Sequence, residues 1–182
     1  MKNLDRKGFT LIELLAVITI LGILMIVAIP AVQRTIENSR KNTFVSTAKQ
    51  YANEVKTRWA ADEIKCSVDI TDGTYYVGIQ THTASGTGSD ADAYASYENL
   101  ISNGGKSSWS GKDLYGYVRV VKAGEKLTTY VRLCDGDHGV LDSTDADKQV
   151  VSDKLERKHV VSSSCPASLG IPSGAKTCSV MD

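Results

Sequence analysis

Residues 9–33 read FTLIELLAVITILGILMIVAIPAVQ, and the reading of this stretch decides the fold. From Leu14 to Gln33 there are 20 consecutive residues without a charge, and Glu13 alone interrupts an apolar run that begins at Phe9. A bilayer's hydrocarbon core is about 30 Å thick and takes about 20 apolar residues rising about 1.5 Å each, so Phe9 to Val32 is long enough to span it as a helix. The run is too long for the core of a cleavable secretory signal, and Val27-Ala28-Ile29-Pro30-Ala31 is a poor small-residue cleavage site. Lys2, Arg6 and Lys7 precede it, so the positive-inside rule predicts a cytoplasmic start and an exported remainder. Arg34, Arg40 and Lys41 beyond the run weaken that bias without reversing it.

Downstream, the helical pattern continues to about residue 64. Only Gly8 and Gly22 of the 15 glycines come before Lys65. Val32, Ile36, Phe44, Ala48, Tyr51, Val55 and Trp59 recur mostly every three or four residues, with charged residues between them, so this second half is amphipathic. Pro30 removes a backbone donor inside the helix and is expected to kink or loosen the preceding turn; Gly22 is a second weak point. Beyond Cys66 the pattern turns to strands and loops. Thr74–Gln80 is β-prone, Thr81–Asp92 reads as loop, and Asp92 suits the cap of a short helix reaching Leu100. The clearest hairpin is Leu114–Lys122 with Lys126–Cys134, joined by Ala-Gly-Glu. In it Tyr115, Tyr117, Arg119 and Val121 share one face, and Gly116, Val118 and Val120 the other. A third strand is expected at Lys148–Val151 or Lys158–Ser162, giving an antiparallel meander of three or four strands whose apolar face covers the helix from Ile36 to Trp59. The expected fold class is therefore α+β, a long N-terminal helix against a small antiparallel sheet.

The whole chain has 182 residues, 42% of them hydrophobic, which is enough to bury a core and excludes a disordered chain. Its 21 Lys+Arg and 21 Asp+Glu balance, against a protein that grips nucleic acid by bulk charge. All four cysteines, Cys66, Cys134, Cys165 and Cys178, lie beyond residue 65 without a Cys-x-x-Cys pair, which reads as disulfides and export. Of the three connectivities, Cys165 with Cys178 is favoured, because the Pro/Gly/Ser segment between them lacks strand periodicity and needs a staple worth about 3 kcal/mol. Cys66 with Cys134 is then the second pair.

No chemistry-bearing motif survives inspection. Gly104-Gly105-Lys106-Ser107 ends like a phosphate-binding loop, but Leu100 stands where its first glycine belongs. Asp135, Asp137, Asp142, Asp145 and Asp147 lack EF-hand spacing and read as a solvated acidic loop. His82, His138 and His159 have no Ser or Cys partner in a nucleophile motif. The chain is expected to be no enzyme and to hold no cofactor or metal.

Lys7-Gly8-Phe9-Thr10-Leu11-Ile12-Glu13-Leu14 resembles the processing site of type IV prepilins and the related pseudopilins, with a short basic leader, Gly, Phe, and a Glu four residues after the Phe. The resemblance covers Lys7 to about Phe44. It implies that a prepilin peptidase cuts after Gly8 and methylates the new amino terminus at Phe9. It implies also that Glu13 pairs with the freed amine of a neighbouring subunit during assembly, and that Gly22 and Pro30 bound a segment able to unwind in the filament. The Cys165–Cys178 region matches, in place and size, the disulfide-bounded C-terminal region of many pilins. A carboxylate inside an apolar membrane helix is usually functional on physical grounds as well.

The divisions expected are a leader at 1–8, a membrane or filament-core half-helix at 9–32, an amphipathic half at 33–64 and an exported head at 65–182. The resemblance implies a pilus subunit, N-in and C-out in the cytoplasmic membrane before assembly and in a surface filament after it. Its partners would be copies of itself, other pilins, the peptidase, an assembly ATPase and a membrane platform protein, with nucleic acid met only through the filament's function. A pseudopilin of type II secretion or of DNA uptake shares the whole N-terminal argument, and an anchored exported domain that never polymerises is the plainest alternative. Removing Lys2, Arg6, Lys7 and Asp5 leaves 18 Lys+Arg against 20 Asp+Glu, so the mature chain is mildly acidic.

Overall fold

The computed structural model describes residues 10–80, 100, 105–142, 149–162 and 171–180. The chain divides into two compact units, residues 1–39 and 40–182. Helix α1, Leu11–Ala60, contributes to both.

In the first unit α1 carries apolar side chains on every side rather than in a stripe. Leu11, Ile12, Ile23, Ile26 and Val27 are each more than two-thirds exposed, and Leu14 to Val32 otherwise shows about half of each large side chain. A helix that is apolar all round belongs in lipid or in a larger assembly, because no single neighbouring face can cover it. The helix is long and apolar enough to cross a membrane. It remains helical through Gly22 and Pro30.

In the second unit the same helix buries a stripe of Phe44, Val45, Ala48, Tyr51, Ala52, Val55 and Trp59. Coverage was expected from Ile36, but Ile36 is 46% exposed and burial begins at Phe44. The helix ends at Ala60 rather than at 64. Asp62 adopts a left-handed φ of 57°. The Glu63 N–H then donates to the Arg58 carbonyl (2.9 Å) and the Asp62 N–H to the Trp59 carbonyl (3.3 Å), which together make a Schellman cap.

Seven strands form one sheet among the described residues: β1 Ile64–Cys66, β2 Gly73–Gln80, β3 Tyr115–Ala123, β4 Lys126–Cys134, β5 Gly139–Val140, β6 Val160–Val161 and β7 Lys176–Val180. Their order is β1-β7-β2-β3-β4-β5-β6. Every neighbouring pair is antiparallel except β2 with β7, which is parallel. The expected hairpin is β3–β4, turning at Gly124, whose φ of 59° suits the first central position of a two-residue hairpin loop. Gly116 is required by close approach, since a β-carbon there would overlap the Arg132 carbonyl oxygen. The three or four strands expected become seven. Of the two candidates for the third strand, Lys158–Ser162 contains β6, while Val151 makes only an isolated bridge to Tyr130. β1, β5 and β7 were not anticipated. The predicted 81–92 loop and 92–100 helix lie outside the described residues apart from Leu100, which is buried.

Alternation along the strands sorts the side chains by face. Tyr75, Val77, Ile79, Val118, Val120, Val131 and Leu133 join the helix stripe in one core. Each fully buried aliphatic or aromatic side chain there stabilises by about 1.5–3 kcal/mol relative to exposure. Trp59 meets the Tyr75 ring edge-on at 5.4 Å, and the Tyr75 hydroxyl accepts from the Thr71 N–H (2.8 Å). Leu155 enters the same core from the 3-10 turns Ser152–Lys154 and Arg157–His159. Lys56 fastens that segment to the helix through Asp153 at 3.1 Å.

Candidate functional site

The residues to which function was assigned lie at the start of the chain. Gly8 and Phe9, the expected cleavage and methylation positions, lie outside the described residues. Thr10 is the first described residue and precedes the first turn of α1, which places it as the N-cap. Its N–H and hydroxyl both donate to Glu13 Oε2, at 2.9 and 2.8 Å, and the Glu13 N–H returns to Thr10 Oγ1 at 3.4 Å. This is a capping box. The first N–H groups of a helix have no intrahelical acceptor, and here a side chain supplies one in each direction. Glu13 therefore opens the helix within its own chain. Its negative charge also stands at the positive end of the helix dipole, where an anion is favoured. The Thr-x-x-Glu spacing before an apolar run is a readable cap signature, although sequence reading assigned Glu13 only to an intermolecular pair.

Gly22 and Pro30 sit within the exposed, all-round apolar stretch. A β-carbon at Gly22 would meet nothing within 4 Å, so packing in this unit does not require glycine there.

The cysteines pair differently from expectation. Cys66 is bonded to Cys178, with a sequence separation of 112 and a Cα–Cα distance of 3.8 Å, which overturns the favoured Cys165–Cys178 link and the accompanying Cys66–Cys134 link. The physical reason is β7. Residues 176–180 form a strand directly opposite β1, in a register that sets Cys66 against Cys178. Cys134 is disulfide-bonded as well, and Cys165 lies outside the described residues.

Two aspartates from the supposed solvated loop are buried instead. Asp135 is 2% exposed and accepts from the Ser107 hydroxyl and from the N–H groups of Asp137 (2.9 Å) and His138 (2.6 Å). Burial pushes its pKa up, but the Ser107 hydroxyl and these N–H groups outweigh burial and hold it below the usual carboxylate value. Asp135 thus ties the β4–β5 turn to the segment around Ser107, and that segment reaches the helix through Trp109 on Phe44 (5.6 Å) and the Ser108 hydroxyl on the Arg40 carbonyl (3.0 Å). On the outer sheet face, Asp142 takes a two-pronged contact from Arg119, at 2.6 and 2.7 Å, with the guanidinium 3.9 Å from the Tyr130 ring centre. Their side chains are 11% and 3% exposed. Burial lowers the Arg119 pKa, yet its bonds to Asp142 more than compensate and raise it. Asp137 remains exposed and pairs with Lys112; Asp145 and Asp147 lie outside the described residues.

Other reactive residue types are engaged structurally. Ser107 is committed to Asp135, and Lys106 pairs with Asp113 at 2.6 Å. His138 stacks on Trp109 at 4.2 Å, and His159 Nδ1 accepts from the Glu156 N–H at 2.9 Å. His82 lies outside the described residues. Among the described residues no group of His, Cys, Asp and Glu is placed to hold a metal ion.

One long N-terminal helix, its first half bare and its second half packed on a small, mostly antiparallel sheet, is the expected α+β arrangement and is consistent with a type IV pilin fold. Residues 3–29 match the prokaryotic N-terminal methylation motif. The fimbrial protein EcpC of Eikenella corrodens is 35% identical over 89 residues, covering 45% of this chain and 58% of the relative. A type IV major fimbrial protein FimA of Dichelobacter nodosus is 35% identical over 95 residues, 48% of this chain and 60% of the relative; another FimA of that organism is 44% identical over 57 residues, 31% and 36%. The chain thus spans less than two thirds of the length of these relatives. No solved structure matches. The chain is thus similar to fimbrial proteins over about half its length, and to the methylation motif at its start.

Proposed function

We propose that the protein is a structural subunit of a type IV pilus, trimmed after Gly8, methylated at Phe9 and polymerised into a surface filament. One observation carries this reading. The likeness to fimbrial proteins runs over 89 and 95 residues, well past the methylation motif at 3–29, so it reaches beyond the signal that pilins share with other processed chains.

Before assembly the bare half of α1 sits in the bilayer with the leader cytoplasmic, and afterwards it lies among the same segments of neighbouring subunits. Lipid contacts are exchanged for equally apolar ones, so transfer changes apolar exposure little, and the drive must come from partners: an assembly ATPase and a membrane platform, with a prepilin peptidase acting first. Glu13 neutralises the freed amine of Phe9 on an adjacent subunit, while its bonds to Thr10 hold the carboxylate at the helix start. Gly22 and Pro30 loosen the helix between them in the filament. No catalytic role is assigned.

Mass spectrometry of filaments sheared from cells tests this reading. A chain beginning at methylated Phe9 is expected. An intact Met1–Gly8 leader in surface material would remove the reading in favour of an anchored domain that does not polymerise.

A further inference from the structure

β7 is an internal strand held with little register. It has three paired positions with β1 and three with β2, against eight between β2 and β3 and nine between β3 and β4. It also separates two strands that are consecutive in the chain. β1 and β2 are joined by residues 67–72 alone, yet β7 lies between them, and among the described residues β1 has no other strand partner. Because β1 is antiparallel to β7 and β7 is parallel to β2, β1 and β2 already run antiparallel. Their faces also match. Through β7, Cys66 stands level with Val77 and Ile64 with Ile79, and Ile64, Val77 and Ile79 are all core residues, so closing β1 straight onto β2 keeps these side chains inward. One strand spacing of movement, about 4.8 Å, converts one arrangement into the other. A covalent constraint, the Cys66–Cys178 link, holds β7 in its slot at the directly opposed β1–β7 position.

We propose that this end of the sheet is a redox-controlled two-state element. With Cys66 and Cys178 joined, β7 occupies the slot; with the link open, β7 leaves and β1 closes laterally on β2, to which residues 67–72 already join it. Opening the link by a dithiol breaks the S–S bond and places a hydrogen on each cysteine sulfur. The dithiol leaves as its own disulfide, so two electrons and two protons pass from it to the protein. A chain whose cysteines have not yet been oxidised would then present the closed β1–β2 pair and a free C-terminal strand. β2, β3 and β4, whose mutual registers do not involve β7, stay paired in both states.

The test uses the full chain in detergent micelles, with Cys66→Ala/Cys178→Ala so that Cys134 keeps its own disulfide. By hydrogen exchange, amides of residues 176–180 are expected to exchange at least about 100-fold faster than in the wild type, with β3 and β4 unchanged. Adding Lys65→Cys and Gly78→Cys, at positions level with each other across β7, probes closure directly. These positions lie two strands apart when β7 is in place, about 10 Å, too far for a disulfide, and opposite each other when β1 meets β2. A 65–78 crosslink in the variant background, and none with the native link intact, is the expected result. Retained protection of β7, equal loss of protection across β3 and β4, or failure of the crosslink to form would each overturn the proposal.

Discussion

The two halves of α1 follow opposite rules on one helix. From Leu11 to Val32 large apolar side chains stay exposed, whereas from Phe44 to Trp59 the apolar residues occupy one stripe and are nearly all sealed from solvent. Backbone propensity and capping make both halves helical. What differs is the angular spread of the apolar residues: a stripe can be satisfied by one sheet, and an all-round surface only by lipid or by several neighbours. The helix therefore divides labour by its side chains, one end made for an environment and the other for a fold.

The strongest way to break this contrast is at Glu13, the single charge in the bare half's apolar run. Glu13→Ala should leave leader removal intact but reduce sheared filament to a small fraction of the wild-type yield, measured by immunoblot of sheared and cell-bound material. A normal yield would reduce Glu13 to its bond with Thr10. The head should be indifferent to that change.

Next comes a paired substitution. Phe44→Ala removes a 1% exposed side chain that meets Trp109 and should cost about 3–5 kcal/mol in the urea unfolding of the head, followed in detergent. Leu21→Ala, on a residue 48% exposed, should leave that unfolding within about 0.5 kcal/mol. Equal effects would mean that the bare half is packed against the chain's own residues. Within the head, Asp142→Ala leaves the Arg119 guanidinium buried and unpaired and should cost about 3–5 kcal/mol, while the isosteric loss of both partners should cost less.

A gentler perturbation is acid. Asp135 is held below its ordinary value of 3.8, so the native state releases this proton more readily than the unfolded chain. Its contribution is complete above the unfolded value and is lost as pH falls through the lower, folded one. The stability gap between wild type and Asp135→Asn should therefore be constant near neutrality and shrink as pH falls below the ordinary value of 3.8. A gap that instead widens on acidification would reverse the assigned direction.

How much of this was legible depends on range. The apolar run, the Thr-x-x-Glu box and the β3–β4 hairpin are local patterns, and each stands in the sequence as it stands in the structure. The burial of Asp135 and Asp142 is not local: their partners Ser107 and Arg119 lie 28 and 23 residues away, and nothing in an acidic stretch announces them. The disulfide pairing failed for the same reason. Lys176–Val180 is short and mostly polar, with only Cys178 buried, so its strand character comes from insertion between β1 and β2 rather than from its own periodicity. Once β7 is placed, Cys66 opposite Cys178 follows from register alone.

The smallest effect is expected where the buried half of the helix stops. The sequence offers no glycine at that point, which is why the helix was read on to residue 64. Asp62 instead takes the left-handed conformation itself, at φ 57°, where an L side chain costs about 1–2 kcal/mol and aspartate somewhat less than most. Asp62→Gly relieves that cost but gives the unfolded chain more freedom, which returns part of the gain. The Schellman bonds from Asp62 and Glu63 involve only backbone groups and survive the change. A net gain of about 0.5 kcal/mol is expected, seen as a higher urea midpoint at unchanged slope. A lower midpoint would mean that the Asp62 carboxylate contributes more than its backbone costs, and that the head holds this end of α1 by a side chain as the Thr10–Glu13 box holds the other.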